Sequence, residues 1–253
     1  MKQLAVLAMT GAGVIGAAAC GGHVEPPPLS TVVTLRDPGS EPRRALAYHP
    51  TVGHASAPRF SIQEPGMMIT MRWELIRSMA DGATRYRFGI TDFQFPMDGS
   101  DDIANGIVTA IRTNNDGEAI GDPHGHFSAA VSGAGLTTPS GPGLLNAFVV
   151  ALPVEPIGVG ARWHVVHPRN TDPALTDAVD YQLTALTGDV ASVRWAIPPS
   201  PPTWGDPAVT ATTQGTATVQ LDDLLPQAGQ VSQVITFPGE KPASPILITL
   251  TRP

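Results

Sequence analysis

Cysteine and charge are both scarce in this sequence of 253 residues. It contains one cysteine, so no internal disulfide can support the fold. Charged residues make up 15% of the chain, below the roughly 25% of an ordinary soluble domain. The 15 basic and 22 acidic residues give a formal net charge of −7, and no basic stripe occurs. These features argue against nucleic acid as a partner.

Sequence motifs of common enzyme classes are also missing. There is no Gly-x-Ser-x-Gly elbow, and the single thiol lies near the N-terminus, so nucleophilic catalysis lacks a candidate. No Walker loop or dinucleotide fingerprint is present. We therefore predict a protein that is not an enzyme and needs no cofactor.

What the chain does contain is apolar and turn-forming material. Hydrophobic residues make up 42% of it, and glycine and proline number 26 each. A disordered low-complexity chain would carry far less apolar material. The composition predicts a folded, turn-rich domain that is long enough to bury a core.

The N-terminus carries an export pattern. Lys2 precedes an apolar run over 4–19, and small residues at 17–19 lead directly into Cys20. These residues resemble the bacterial lipobox. The resemblance implies a signal peptide over 1–19, cleavage before Cys20, and fatty acyl chains, palmitate among them, on that cysteine. Gly21 stands where an aspartate would mark retention in the inner membrane, so the expected location is the outer membrane, facing the periplasm.

The rest of the chain is predicted to be a tether over 20–28 and one β-rich domain over 29–253. An alternation of apolar and polar residues starts at Ile69 and indicates a strand with one buried face. The turn at 80–83 predicts a hairpin. The return strand changes its phase between Ile90 and Phe93, which predicts a β-bulge near 91–92.

Further strands are predicted over the ranges 29–35, 107–111, 162–166, 179–185, 190–197, 215–221, 231–237 and 246–251. Loops are predicted over 37–65 and 198–207, and a turn over 114–117. A short helix is predicted over 143–152, while a buried strand at 148–150 is the competing interpretation.

Two parts of the chain are similar to each other, which predicts an internal duplication of 66–121 and 157–237. The segment from Arg72-Trp73 to Arg77 resembles the segment from Arg162-Trp163 to His167. The predicted fold is mainly β, with curved antiparallel sheets in an open barrel or sandwich. Two similar meanders would face each other across the short helix.

The segment LPVEPIGVGARW, over residues 152–163, is the most distinctive string. It resembles a segment of a family of uncharacterised exported bacterial lipoproteins that share a domain of unknown function. The resemblance implies a lipoprotein start and a β-rich duplicated body, and it implies no activity.

Aromatic side chains fall on the apolar phase of the predicted strands. They could line a pocket for a ligand or fill the core, and the sequence leaves both interpretations open. These residues are Trp73, Tyr86, Phe88, Trp163, Tyr181 and Trp195.

His124 and His126 are candidate metal ligands because alternate residues of an extended chain face the same way, and Asp122 is nearby. No third histidine is close in sequence, and a flexible glycine-rich loop is the alternative. His164 and His167 are expected on opposite faces of a strand, one in solvent and one at the strand end.

Two functions fit these features. The first is non-catalytic binding of a hydrophobic or amphipathic ligand beside the membrane that holds the lipid anchor. The second is a structural or assembly scaffold that contacts other envelope proteins through proline loops and sheet edges.

Overall fold

A computed structural model describes residues 31–63, 66–94, 116–130, 146–168, 176–200, 210–239 and 242–252. The predicted signal peptide, Cys20 and the tether lie outside these residues. The regular elements of the described residues are thirteen strands. Their bounds are β1 Val32–Asp37, β2 Ala55–Ser56, β3 Arg59–Ile62, β4 Met67–Ser78, β5 Thr84–Gln94, β6 Asp116–Gly121, β7 Phe127–Ala130, β8 Arg162–Pro168, β9 Thr176–Thr187, β10 Val190–Ser200, β11 Thr210–Gln220, β12 Ala228–Thr236 and β13 Ile246–Thr251.

All thirteen strands belong to one antiparallel sheet. Its order is β1-β8-β9-β10-β11-β12-β13-β3-β4-β5-β6-β7, and β2 pairs with β4 beside this path. The mainly β, antiparallel fold predicted from the sequence is confirmed. Two runs of consecutive strands, β3–β7 and β8–β13, are fused into this sheet because β13 pairs with β3, as in Leu250 opposite Phe60. The sheet is open, with β1 and β7 at the two ends of the order.

Alternating burial explains why these segments form strands. Along β4 every second residue is buried from Met67 to Leu75, so one face of the strand lies in the core and the other faces outward. The predicted hairpin joins β4 to β5, with Gly82 at a φ of 85°. The predicted bulge is confirmed, because Thr70 pairs with Asp92 and Met71 with Ile90, which leaves Thr91 between them without a counterpart.

Of the helix predicted over 143–152, the described residues 146–152 show only Asn146 as helical. Residues 148–152 form neither a helix nor a strand of the sheet. Each of these five side chains is at most 6% exposed, so the segment is apolar on every side and its spacing could not distinguish a helix from an extended chain. Residues 143–145 lie outside the described residues.

Several loop boundaries also differ from the prediction. The proline-rich range 37–65 contains β2 and β3, whose short strands lie between prolines and are too brief for a clear period. The turn predicted over 114–117 is wrong at 116–117, where β6 begins, and residues 198–200 belong to β10 rather than to a loop. The strand predicted over 107–111 lies outside the described residues, and the internal duplication stays a prediction.

No helix within the described ranges is long and apolar enough to cross a lipid bilayer.

Candidate functional site

The predicted aromatic residues lie in the core and contact one another. All six are at most 6% exposed. The ring centroid of Trp73 lies 5.3 Å from that of Tyr86 and 5.5 Å from that of Phe88, and Phe127 meets Trp73 edge-on at 5.0 Å. These distances are those of favourable aromatic pairs, so the rings pack as a cluster.

The other three predicted aromatic residues belong to the second run of strands. Trp163 on β8 stacks on Tyr181 of β9, with ring centroids 5.4 Å apart and planes inclined by 10°. Trp195 on β10 lies over Gly215 of β11, where a Cβ atom would be 2.5 Å from the indole Cζ2 atom. The absence of a side chain at Gly215 therefore makes room for this ring.

The buried segment 148–152 lies within hydrogen-bonding reach of side chains from several elements. Tyr181 Oη lies 3.3 Å from the carbonyl oxygen of Val149, and Tyr48 Oη lies 2.8 Å from that of Val150. Trp163 Nε1 lies 2.7 Å from the carbonyl oxygen of Ala151, and His124 Nδ1 lies 3.4 Å from that of Leu152. Such donors replace the backbone partners that a helix or sheet would supply, which is why the segment can stay irregular in the core.

Burial raises the pKa of Tyr48, and the neighbouring Tyr181, Asp223 and Tyr86 raise it further. Burial also raises the pKa of Tyr181. Both phenols therefore stay protonated at neutral pH and can donate hydrogen bonds to the carbonyls of Val149 and Val150.

Two buried polar atoms have no hydrogen-bond partner among the described residues. They are Trp73 Nε1 and Tyr86 Oη, which belong to stacked rings on β4 and β5. A buried donor that is left unsatisfied costs about 1–3 kcal/mol. The aromatic cluster therefore offers two unused polar groups in an apolar surrounding.

A second group of polar side chains lies where the β6–β7 turn meets β8. We call it the histidine cluster, and it consists of Thr31, Asp122, His124, His126 and His167. Asp122 organises the turn, because its Oδ1 accepts hydrogen bonds from the backbone N–H groups of His124 (2.9 Å) and His126 (3.0 Å). Its Oδ2 accepts the hydroxyl hydrogen of Thr31.

The protonation of His167 follows from these contacts. Since Thr31 gives its only hydrogen to Asp122, its Oγ1 can only accept at the 3.2 Å contact with His167 Nδ1. His167 therefore carries its proton on Nδ1. Burial, together with the neighbouring His126 and His124, lowers the pKa of His167 to about 3.

The turn that carries these histidines packs against the core at Gly125. Gly125 has a φ of 93°, and a Cβ atom there would lie 3.1 Å from Leu224 Cδ2 and from Val149 Cγ1. Residues 122–126 form a loop between β6 and β7, and Gly125 serves a tight buried turn in it.

The structure does not arrange the histidines for chelation. The rings of His126 and His167 are stacked, with centroids 4.3 Å apart and planes inclined by 21°, so they present faces rather than nitrogen lone pairs to each other. Within the described ranges no group of three or more His, Cys, Asp or Glu residues could hold a metal ion.

His167 and Thr31 are the members of this cluster that the sequence reasoning missed. The alternation along β8 could have indicated His167, because every second residue of a strand lies on the same face and His167 shares the buried face with Trp163 and Val165. His164 lies on the opposite face, as expected, and its Nδ1 is 2.8 Å from Asp180 Oδ1.

No family model matches the chain, and no curated protein matches it either. Among solved structures, it is similar to a "putative exported protein with YmcC-like fold" from Bacteroides fragilis, with a TM-score of 0.38 and 10% sequence identity. The likeness covers 83% of this chain and 98% of that one. At this TM-score it carries no conclusion about function.

Proposed function

We propose that this chain is an exported lipoprotein of the bacterial envelope, anchored through acyl chains on Cys20. The support is the N-terminal sequence, in which an apolar run and three small residues end at the single cysteine. Two or more acyl chains hold a protein on a bilayer stably, because each buried methylene contributes about 0.8 kcal/mol. The anchor would place the β domain at the outer membrane, facing the periplasm.

The substitution Cys20→Ser tests the anchor. We expect the native chain in the membrane fraction with the mass of the acylated form that begins at residue 20, and the variant outside that fraction without acyl mass. His23→Ser, in the tether, is the control and should behave as the native chain. A Cys20→Ser variant that stays in the membrane with the native processed mass would refute the proposal.

The activity that we propose for the domain is that of a structural or assembly scaffold. One observation carries this choice: the aromatic side chains that could have lined a pocket contact each other, at centroid distances of 5.0–5.5 Å around Trp73. Rings that pack against one another in the core stabilise the sheet. Contacts with other envelope proteins would then use the outer sheet face and loops.

Binding of a hydrophobic or amphipathic ligand is the second candidate. It is favoured by Trp73 Nε1 and Tyr86 Oη, two buried donors without a partner in the described residues. A ligand with an acceptor oxygen at the end of an apolar body would satisfy both groups, and such a ligand is available beside a membrane.

One experiment separates the two candidates. The full chain is purified from its native host, extracted with organic solvent, and the extract is examined by mass spectrometry for a non-covalent ligand. The scaffold proposal predicts no stoichiometric ligand and no binding of a fluorescent fatty acid. A ligand that is recovered from the native chain and lost from Trp73→Phe would overturn it in favour of the second candidate, and Trp195→Phe is the matched control.

A further inference from the structure

The histidine cluster joins two distant parts of the sheet. β1 lies at one end of the strand order, next to β8, and β6 and β7 lie at the other end. Thr31, which directly precedes β1, donates to Asp122 in the β6–β7 turn, and His167 of β8 stacks on His126 of the same turn. Side chains thus connect strand ends that no ladder joins within the described ranges.

Titratable residues occupy positions beside His167 on two other elements. The β6–β7 turn contributes Asp122, His124 and His126, and Asp177 occupies the position opposite His167 on β9. Thr31, just before β1, also faces His167, and it carries no charge. Asp122 already accepts three hydrogen bonds, so it cannot turn toward a new cation without giving up a bond that shapes the turn.

We propose that the histidine cluster is an acid-sensitive latch, in which protonation of His167 releases the β6–β7 turn from β8 and from the start of β1. The reason is geometric. An imidazolium at this position would lie face to face with the ring of His126, 4.3 Å away, and only 9% of His167 is exposed to water. When the turn withdraws, the ring becomes hydrated and can hold its charge.

The direction of the pH dependence follows from linkage. The pKa of His167 is lowered to about 3 in the closed state and returns toward its ordinary value of 6.5 when the turn opens. The open state therefore binds more protons between these two pH values, so acid favours opening. The closed state is fully favoured above pH 6.5 and loses stability as the pH falls toward about 3.

Opening has a structural consequence for the core. Gly125 of the turn packs against Val149 and Leu224, so its withdrawal uncovers apolar side chains beside the buried segment 148–152. It also frees Thr31, which directly precedes β1. Acid would thereby loosen the start of β1 and at the same time expose part of the core.

Hydrogen–deuterium exchange on the full chain tests the latch. Exchange rates of residues 31–37 and 122–130 are measured from pH 7.5 down to 4.5, and each is divided by the intrinsic rate at that pH. Below pH 6.5 we expect the corrected rate to rise about tenfold per pH unit in both segments, as for uptake of one proton. Residues 190–197 of β10 should show no such rise.

Two substitutions assign the effect to His167. His167→Gln removes the titrating group and should abolish the rise, whereas His164→Gln, on the opposite face of β8, should preserve it. A native chain whose corrected rates stay constant would overturn the proposal, and so would a His167→Gln variant with the native slope. If His167→Gln does not fold, the native chain and His164→Gln still decide the matter, because a flat response in both refutes the latch.

Discussion

At the scale of single residues, the tyrosines that are buried or packed against the core illustrate how one type of side chain takes different roles. Tyr48 and Tyr181 donate to carbonyls of the buried segment 148–152, at 2.8 and 3.3 Å. Tyr86 is buried to the same extent as the core, but its hydroxyl has no partner among the described residues. Burial raises the pKa of all three.

This difference predicts opposite outcomes for two equivalent substitutions. Tyr48→Phe leaves the buried carbonyl of Val150 without its donor and should lower the free energy of unfolding by about 1–3 kcal/mol. Tyr86→Phe removes a hydroxyl that makes no bond and should leave stability unchanged or slightly raised. Urea denaturation measures both, and equal losses in the two variants would contradict the assignment of the hydrogen bonds.

At the scale of elements, the β6–β7 turn contributes to the core as a strand does. Its backbone is held by the carboxylate of Asp122 and by a 2.9 Å bond from the N–H of Gly125 to the Asp122 carbonyl. Gly125 then brings the turn against Leu224 and Val149. The connection is therefore a packing element, unlike a surface loop.

Two glycines with nearly equal φ angles allow the contribution of this packing to be measured separately from backbone strain. Gly125 has a φ of 93° and Gly160 a φ of 90°, but a Cβ at Gly160 would meet no atom within 4 Å. Both alanine substitutions carry the strain of a positive φ, and Gly125→Ala adds a contact at 3.1 Å with two core side chains. We expect Gly125→Ala to cost at least about 1 kcal/mol more than Gly160→Ala in thermal or urea unfolding; similar losses would show that the turn is loosely packed.

At the scale of the whole molecule, the pairing of β13 with β3 makes one sheet of two runs of strands. Leu250 is 1% exposed and pairs with Phe60 across this junction. The core includes buried side chains from both runs, from Trp73 on β4 to Leu183 on β9. A shared core predicts that the two runs unfold together.

The junction can be tested by its effect on cooperativity. Leu250→Ala should lower the free energy of unfolding by roughly 2–5 kcal/mol, while Thr249→Ala, on the outer face of β13, should change it little. In the native chain, circular dichroism and tryptophan fluorescence should report one coincident transition. Two separate transitions would mean that the runs are independent units.

Local patterns determined much of this fold. The alternation through Trp73 and Phe88 indicated half-buried strands, and the change of phase after Ile90 located the bulge at Thr91. The bounds of β13 agree with the predicted range 246–251. Such features depend on neighbours within a few residues, because a strand exposes its two faces in strict alternation.

Only the tertiary structure decided the rest. His126 and His167 are 41 positions apart and meet because the β6–β7 turn reaches β8. Residues 148–152 are apolar on every side, and the donors that keep them irregular come from other elements, with Tyr48 about a hundred positions away. Sequence spacing indicates which face of a segment is buried, but the partners that satisfy its backbone and its polar side chains are chosen by contacts between segments distant along the chain.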